Sequence, residues 1–195
     1  MFNDRSSLRS HLATRRSGRP REMVGPGPSE DELEAIVTLA LRTPDHGKLA
    51  PWRFVIVGKD QREDFAALLM KALDENDPGA TPAHRAKALE FAHNGESLVV
   101  MLSAPVAGHK IPVFEQELSA GAAAMNLLHA VHAHGYVGGW ITGWAAYDPT
   151  VRAAFAQGPE ERITGFFFIG TPGRLLEERP RPDPALVIRR WNPNP

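Results

Sequence analysis

Arg15, Arg16 and Ser17, followed by Arg19 and Arg21, set four guanidinium groups and a hydroxyl within seven residues. Arginine carries a planar fork of donors that matches a phosphate dianion, and clustered arginines repel one another unless an anion sits among them. The same spacing also suits a solvated basic turn. A second group runs from Pro44 to Trp52 and reads Pro-Asp-His-Gly-Lys-Leu-Ala-Pro-Trp. A loop with two prolines, a glycine and several polar side chains is a frequent place for ligand contacts, and equally a plain helix–strand connector. The third group is Gly138-Gly139-Trp140-Ile141-Thr142-Gly143. Glycines at a strand end let backbone approach a flat ligand closely, and also suit a bulge or turn. The order G-x-G-x-x-G and a phosphate-loop lysine are missing, so a dinucleotide fingerprint is not what the glycines spell.

Other chemistries find little support. Cysteine is absent, which removes disulfides, thiolate nucleophiles and zinc–thiolate sites and fits a reducing, cytoplasmic compartment. No G-x-S-x-G elbow offers a hydroxyl nucleophile. His129, His132 and His134 crowd one helix end, and His129 and His132 share a face. A helix C-terminus attracts histidine through its dipole, so no metal is expected there. A net charge of −1 gives no global field for nucleic acid or an acidic membrane surface. Leu98 to Ala107, the longest apolar stretch, is too short to span a bilayer, and the first ten residues carry no apolar run of signal-peptide type.

Elements must hold the three groups in place. A short helix over 3–14 leads into the arginine turn, and a loop over 18–28 follows, with three glycines and three prolines. Ser29 with Glu32 forms a capping box, and Leu33, Ile36, Val37, Ala40 and Leu41 mark a buried helical face that ends at Pro44. Strands are predicted at 53–57, 98–103, 136–142 and 163–170, and helices at 60–73, 82–93 and 114–134, with a short one after Asp148-Pro149. The longest helix is apolar on nearly every side between Leu118 and Leu128, which predicts burial all round. Six prolines in residues 172–195 exclude a regular helix or central strand and predict an extended tail. The fold class is α+β: one domain over 1–195, a mixed, mostly antiparallel sheet flanked by helices around a long buried one, with the tail wrapping a dimer partner.

In this order and at these distances the groups resemble the nitroreductase family, from about residue 8 to about residue 184. The helix opening Glu115-x-Glu117-Leu-Ser-Ala-Gly-Ala-Ala-Ala-Met-Asn-Leu-Leu and the segment Phe168-Ile-Gly-Thr-Pro172 belong to the same likeness. The resemblance implies an enzyme, a homodimer with two FMN sites at its interface, with NADH or NADPH as reductant and a nitroaromatic or quinone-like small molecule as acceptor. The flavin does the redox chemistry and no protein side chain need act as a covalent catalyst. Arg15, Arg16 and Ser17 match the positions that hold the flavin's phosphate, ribityl chain and pyrimidine edge, and Arg15 or Arg19 is the candidate to stabilise the reduced ring. His46 matches the loop that reaches the flavin from the partner. Gly139, Trp140, Ile141 and Thr142 match the segment whose backbone touches the flavin. Ala50 stands where relatives can carry glutamine and Ile141 where some carry arginine. Arg181 or Arg179 would reach the phosphate from the tail. Relatives of similar build dehalogenate substrates, fragment flavin or hold it, and a non-enzymatic nucleotide-binding dimer is the remaining alternative.

Overall fold

Phe166, Phe167 and Phe168 are all fully buried, which one strand achieves only when both sheet faces are covered. The computed structural model describes residues 1–193. In it, β5 (Arg162–Pro172) is the central strand, flanked on one edge by β3 (Ser97–Ser103), which in turn pairs with β2 (Trp52–Val57). On its other edge β5 pairs with β4 (Val137–Ile141), and its last two residues, Thr171 and Pro172, pair with the two-residue β1 (Met23–Val24). Every strand pairing among the described residues is antiparallel, which narrows the expectation of a mixed sheet.

Alternation divides the core. Leu98, Val100, Leu102, Phe166 and Phe168 face one layer, built on Phe65, Leu69 and Leu73 of α3 (Arg62–Asn76), with α4 (Pro82–His93) and α6 (Pro149–Phe155) beside it. Val99, Met101, Phe167 and Ile169 face the other, formed by α2 (Glu30–Ala40) and α5 (Val113–Ala133). Period-2 side chains thus feed two cores from one unbroken apolar run. The capping box of α2 forms as expected between Ser29 and Glu32. Leu41, expected in the buried face, is half exposed because α2 ends one residue earlier. The first helix, α1, is Leu8–Thr14 and starts later than expected, capped by Ser7. No helix among the described residues is long and apolar enough to cross a membrane.

Gly165 allows β4 and β5 to close. Trp140 stacks on Phe167 at 5.3 Å and its Nε1 donates to the Thr164 carbonyl at 2.9 Å. A methyl group at Gly165 would overlap the indole nitrogen. Gly165→Ala is therefore expected to cost about 1–3 kcal/mol through overpacking, read as a lower melting temperature. An unchanged Tm would show that the indole can move aside.

Two expectations need correction. α5 is not buried all round within one subunit: Val113, Phe114 and Leu118 are 43%, 67% and 57% exposed, because α2 and the sheet cover only its other side. The tail is not wholly extended: Asp183 caps one helical turn, α7 (Pro184–Val187), although the segment beyond Gly173 is almost entirely exposed. Residues 194 and 195 of the expected tail lie outside the described residues.

Candidate functional site

α1 ends at Thr14, and the arginine turn is fixed at both flanks. Asn3 Nδ2 donates to the Arg16 carbonyl at 3.0 Å, and the Arg16 amide donates back to Asn3 Oδ1 at 2.7 Å. Two residues on, the Gly18 amide donates to the Gly138 carbonyl of β4 at 3.2 Å. A methyl at Gly139 would meet the Gly18 carbonyl at 2.9 Å and the Pro20 ring at 3.0 Å. The arginine turn and the glycine-rich strand are thus one unit. At Gly139 the small residue first admits the chain's own turn. Ile141 borders an open depression with Arg19, Pro20 and Phe91, and Thr142 follows it, half-buried.

Within the turn the four arginines differ. Arg16 Nε donates to the Glu177 carbonyl at 2.6 Å, and Arg19 forms ion pairs with Glu22 and Glu177 at 3.2 and 3.4 Å. Arg21 is exposed. Arg15 is partly buried, donates to Ser17 Oγ at 3.3 Å, and has no carboxylate partner among the described residues. Its proton affinity is lowered first by burial and then by the charges of Arg181 and Arg16. The tail therefore brings Arg181, which also holds Glu178 at 3.1 Å, into range of Arg15. Arg15, Arg16 and Arg181 form a cationic cluster in which Arg15 is left uncompensated, the electrostatic signature of an anion seat.

The second loop lies elsewhere. Ser119 Oγ donates to the Pro44 carbonyl at 2.6 Å, and Asn126 Nδ2 holds Thr43 Oγ1 at 2.7 Å, so α5 carries the loop on one side. His46 Nδ1 lies 2.7 Å from Glu115 Oε2, both side chains being well exposed. The Ala50 amide donates to Asp45 Oδ2 at 2.7 Å. Lys48 and Ala50 hold φ of +56° and +48°, a left-handed conformation that costs energy in non-glycine residues and clusters at ligand sites. Glu115 and His129 mark the two ends of α5, separated by about 21 Å at 1.5 Å per residue. Within one subunit, then, His46 and Ala50 do not join Arg15, Ser17 and Gly139.

Three imidazoles occupy the other end. His11 Nε2 and His129 Nδ1 are 2.8 Å apart, and the His132 ring lies 5.6 Å from that of His11. Only His134 meets the helix end as expected, with Nδ1 2.9 Å from the Ala130 carbonyl. His129 and His132 turn inward, and no metal-binding group of three side chains exists among the described residues. Burial, then the charges of His11, Arg15 and His129, push the His132 pKa down to about 3. The unfolded chain keeps an ordinary imidazole, so between pH 6.5 and 3 it binds more protons than the folded one. Stability from this residue is present above pH 6.5 and declines as pH falls through that window. His132→Leu is expected to flatten the fall of Tm between pH 7 and 5, and equal slopes in both proteins would contradict this.

A cavity of about 580 Å³ lies between the start of α2, the end of β2 and the start of β3. Glu30, Glu34 and Glu96 outnumber Lys59 on its walls, the wrong sign for a phosphate. Asn3, Glu177 and His11 escaped the sequence reading, and Glu115 entered it only as part of the family-like helix opening; their partners are far along the chain, and no local spacing announces them.

The fold defines an α+β class in which a central antiparallel sheet lies between two helical layers, with a cationic turn against one strand. The sequence pattern of the Nitroreductase family matches residues 12–171, and the chain belongs to that family. It is 34% identical over 166 residues to the Escherichia coli K12 protein named "Putative NAD(P)H nitroreductase YdjA", covering 83% of this chain and 86% of that one. A nitroreductase-like family protein from Bacillus cereus shares the fold with a TM-score of 0.80 at 17% identity, over 98% and 99% of the two chains. The FMN and NADPH-dependent nitroreductase NfnB from Sphigopyxis sp. strain HMH does so with 0.72 at 17% identity, over 95% and 99%.

Proposed function

We propose that the chain is an oxidoreductase that binds FMN without a covalent bond and carries a hydride from NADH or NADPH to a small nitroaromatic or quinone-like acceptor. The observation that carries this reading is Arg15, partly buried and within the fields of Arg16 and Arg181, with no carboxylate among the described residues to balance it. A phosphate supplies what that cluster lacks, and its donors are hydrogen-bonding forks on a fixed turn. The names of the relatives support the nicotinamide reductant, and the fold shared with the FMN and NADPH-dependent nitroreductase NfnB supports the flavin. When bound, the flavin supplies two-electron acceptance and donation. In this reading Arg15 and Arg181 hold the phosphate. Ser17 and the backbone of Gly139 to Thr142 line the ring and its chain, and Arg19 can face the pyrimidine edge once it leaves Glu22 or Glu177.

A homodimer completes the site. His46 and Ala50 lie at one end of α5 and the cationic turn at the other. A two-fold axis across the exposed face of Phe114 and Leu118 brings the loop of one copy to the turn of its partner. Leu186, Ile188 and Trp191 of the tail are 81%, 69% and 84% exposed, apolar area that a neighbouring copy would cover. We place the protein in the cytoplasm, where a cysteine-free chain meets no oxidative demand.

One stacking face has to serve reductant and acceptor in turn, so steady-state turnover is expected to be ping-pong. Initial rates with NADPH or NADH against a quinone under nitrogen test this. Parallel double-reciprocal lines are expected, and intersecting lines would require two separate sites.

A further inference from the structure

The proposed reaction leaves His11, His129 and His132 without a task, yet all three rings lie within electrostatic reach of Arg15. His11 lies on α1, one turn before Arg15, and its ring meets that of His129 edge to face, with centroids 5.0 Å apart. The bond between His11 Nε2 and His129 Nδ1 therefore fastens the helix that carries the turn onto α5. His132 is 1% exposed and neither ring nitrogen has a partner among the described residues.

The charges around the cluster share one sign. Burial is the first cause of lowered proton affinity in all three rings; Arg15 adds to it in each, and neighbouring imidazoles add to it in His129 and His132. Arg16 and Arg181 stand beside Arg15. Arg5 reaches the Ala133 carbonyl at the end of α5. β4, packed on α5, brings no titratable side chain between Val137 and Ile141. α2, also packed on α5, spends Glu32 on Ser29 and Tyr136, where its charge meets His134. No carboxylate of the described residues acts on the three rings.

An imidazole–imidazole bond needs one hydrogen between the two nitrogens. A neutral pair has it. A singly protonated pair keeps it, because the added proton goes to an outer nitrogen. A doubly protonated pair would force two hydrogens into the gap. The pair can therefore gain one proton without letting go of α1, and bare Arg15 opposes that gain. A phosphate dianion on Arg15 and Arg181 would offset their charge and remove that opposition.

We propose that the His11–His129 pair is a proton-linked positioning device for the cationic turn: it takes one proton from solvent as the phosphate of FMN settles on Arg15, and holds α1 to α5 in both states. The proposal rests on the FMN reading above. It makes retention of the phosphorylated flavin depend on pH through residues that do not touch it.

Calorimetric titration of the flavin-free protein with FMN at pH 7, in Pipes and in Tris, reads the proton count from the difference in buffer ionisation enthalpy. The expected result is that the wild type takes up a large fraction of one proton more per FMN than His129→Gln, whose amide can still bond His11. Riboflavin, which lacks the phosphate, should give no uptake in either. Proton release by the FMN phosphate itself is common to both proteins and cancels. Between pH 8 and 6.5 the wild-type affinity for FMN should rise at least threefold relative to the variant. His11→Gln serves where His129→Gln does not fold, and the imidazole proton shifts of the wild type, with and without FMN, report the same event with no substitution. Equal uptake in wild type and variant, unmoved imidazole shifts, or equal uptake with riboflavin and FMN would overturn the proposal. FMN binding without proton uptake removes this inference alone, whereas no FMN binding removes the proposed function beneath it.

Discussion

Arg15→Ala should weaken FMN binding by roughly 10- to 150-fold, the equivalent of about 1.5–3 kcal/mol for one charge-assisted contact. Arg15 is the partly buried arginine of the turn that, among the described residues, has neither ion pair nor backbone acceptor to occupy it. Arg181→Ala should lose a similar amount. The double variant should lose less than the sum, because each removal also relieves repulsion on the other. Relief of that repulsion carries a second signature: the flavin-free Tm of Arg15→Ala should not fall, whereas the Tm gained on adding FMN should shrink. Arg15→Lys keeps the charge but not the fork, and should recover only part of the affinity. Quenching of FMN fluorescence measures all three variants. Unchanged affinity in Arg15→Ala would reduce the turn to a basic surface.

Stopping the chain after Leu176 should weaken both the dimer and its hold on FMN. The cut respects the fold: the Gly173 amide donates to the Glu22 carbonyl at 2.8 Å and Leu176 packs on the core, so an end at Thr171 would damage the sheet edge as well. It removes Arg181 together with the exposed Leu186, Ile188 and Trp191. Loss of FMN affinity should therefore exceed that of Arg181→Ala. Sedimentation equilibrium should show the truncated protein dissociating at concentrations where the full chain stays paired. A full-length monomer that binds FMN tightly would contradict the shared site and the part assigned to His46.

Local patterns made the framework legible. Unbroken apolar runs announced β3 and β5 because both faces of those strands are buried, and Ser29 with Glu32 announced the start of α2. β1 was hidden because two residues have no period. Which face of α5 is exposed was hidden because alanine-rich helices look alike whether they meet a sheet or a second subunit. The site was legible as separate groups but not as an arrangement. Arg181 reaches Arg15 from the far end of the chain, His46 finds Glu115 across 69 residues, and His11 finds His129 across 118. Spacing reports neighbours on one helix or strand, whereas these pairings are set by how α1, α5 and the tail pack.

The central claim is that this chain carries FMN and passes electrons through it. The most direct measurement is the absorption spectrum of the purified protein, followed by mass analysis of what a denaturant releases and by anaerobic addition of NADH or NADPH. The expected result is a yellow protein that releases FMN, about one per chain, and bleaches when the nicotinamide is added. A colourless protein that also ignores added FMN in a titration would contradict it.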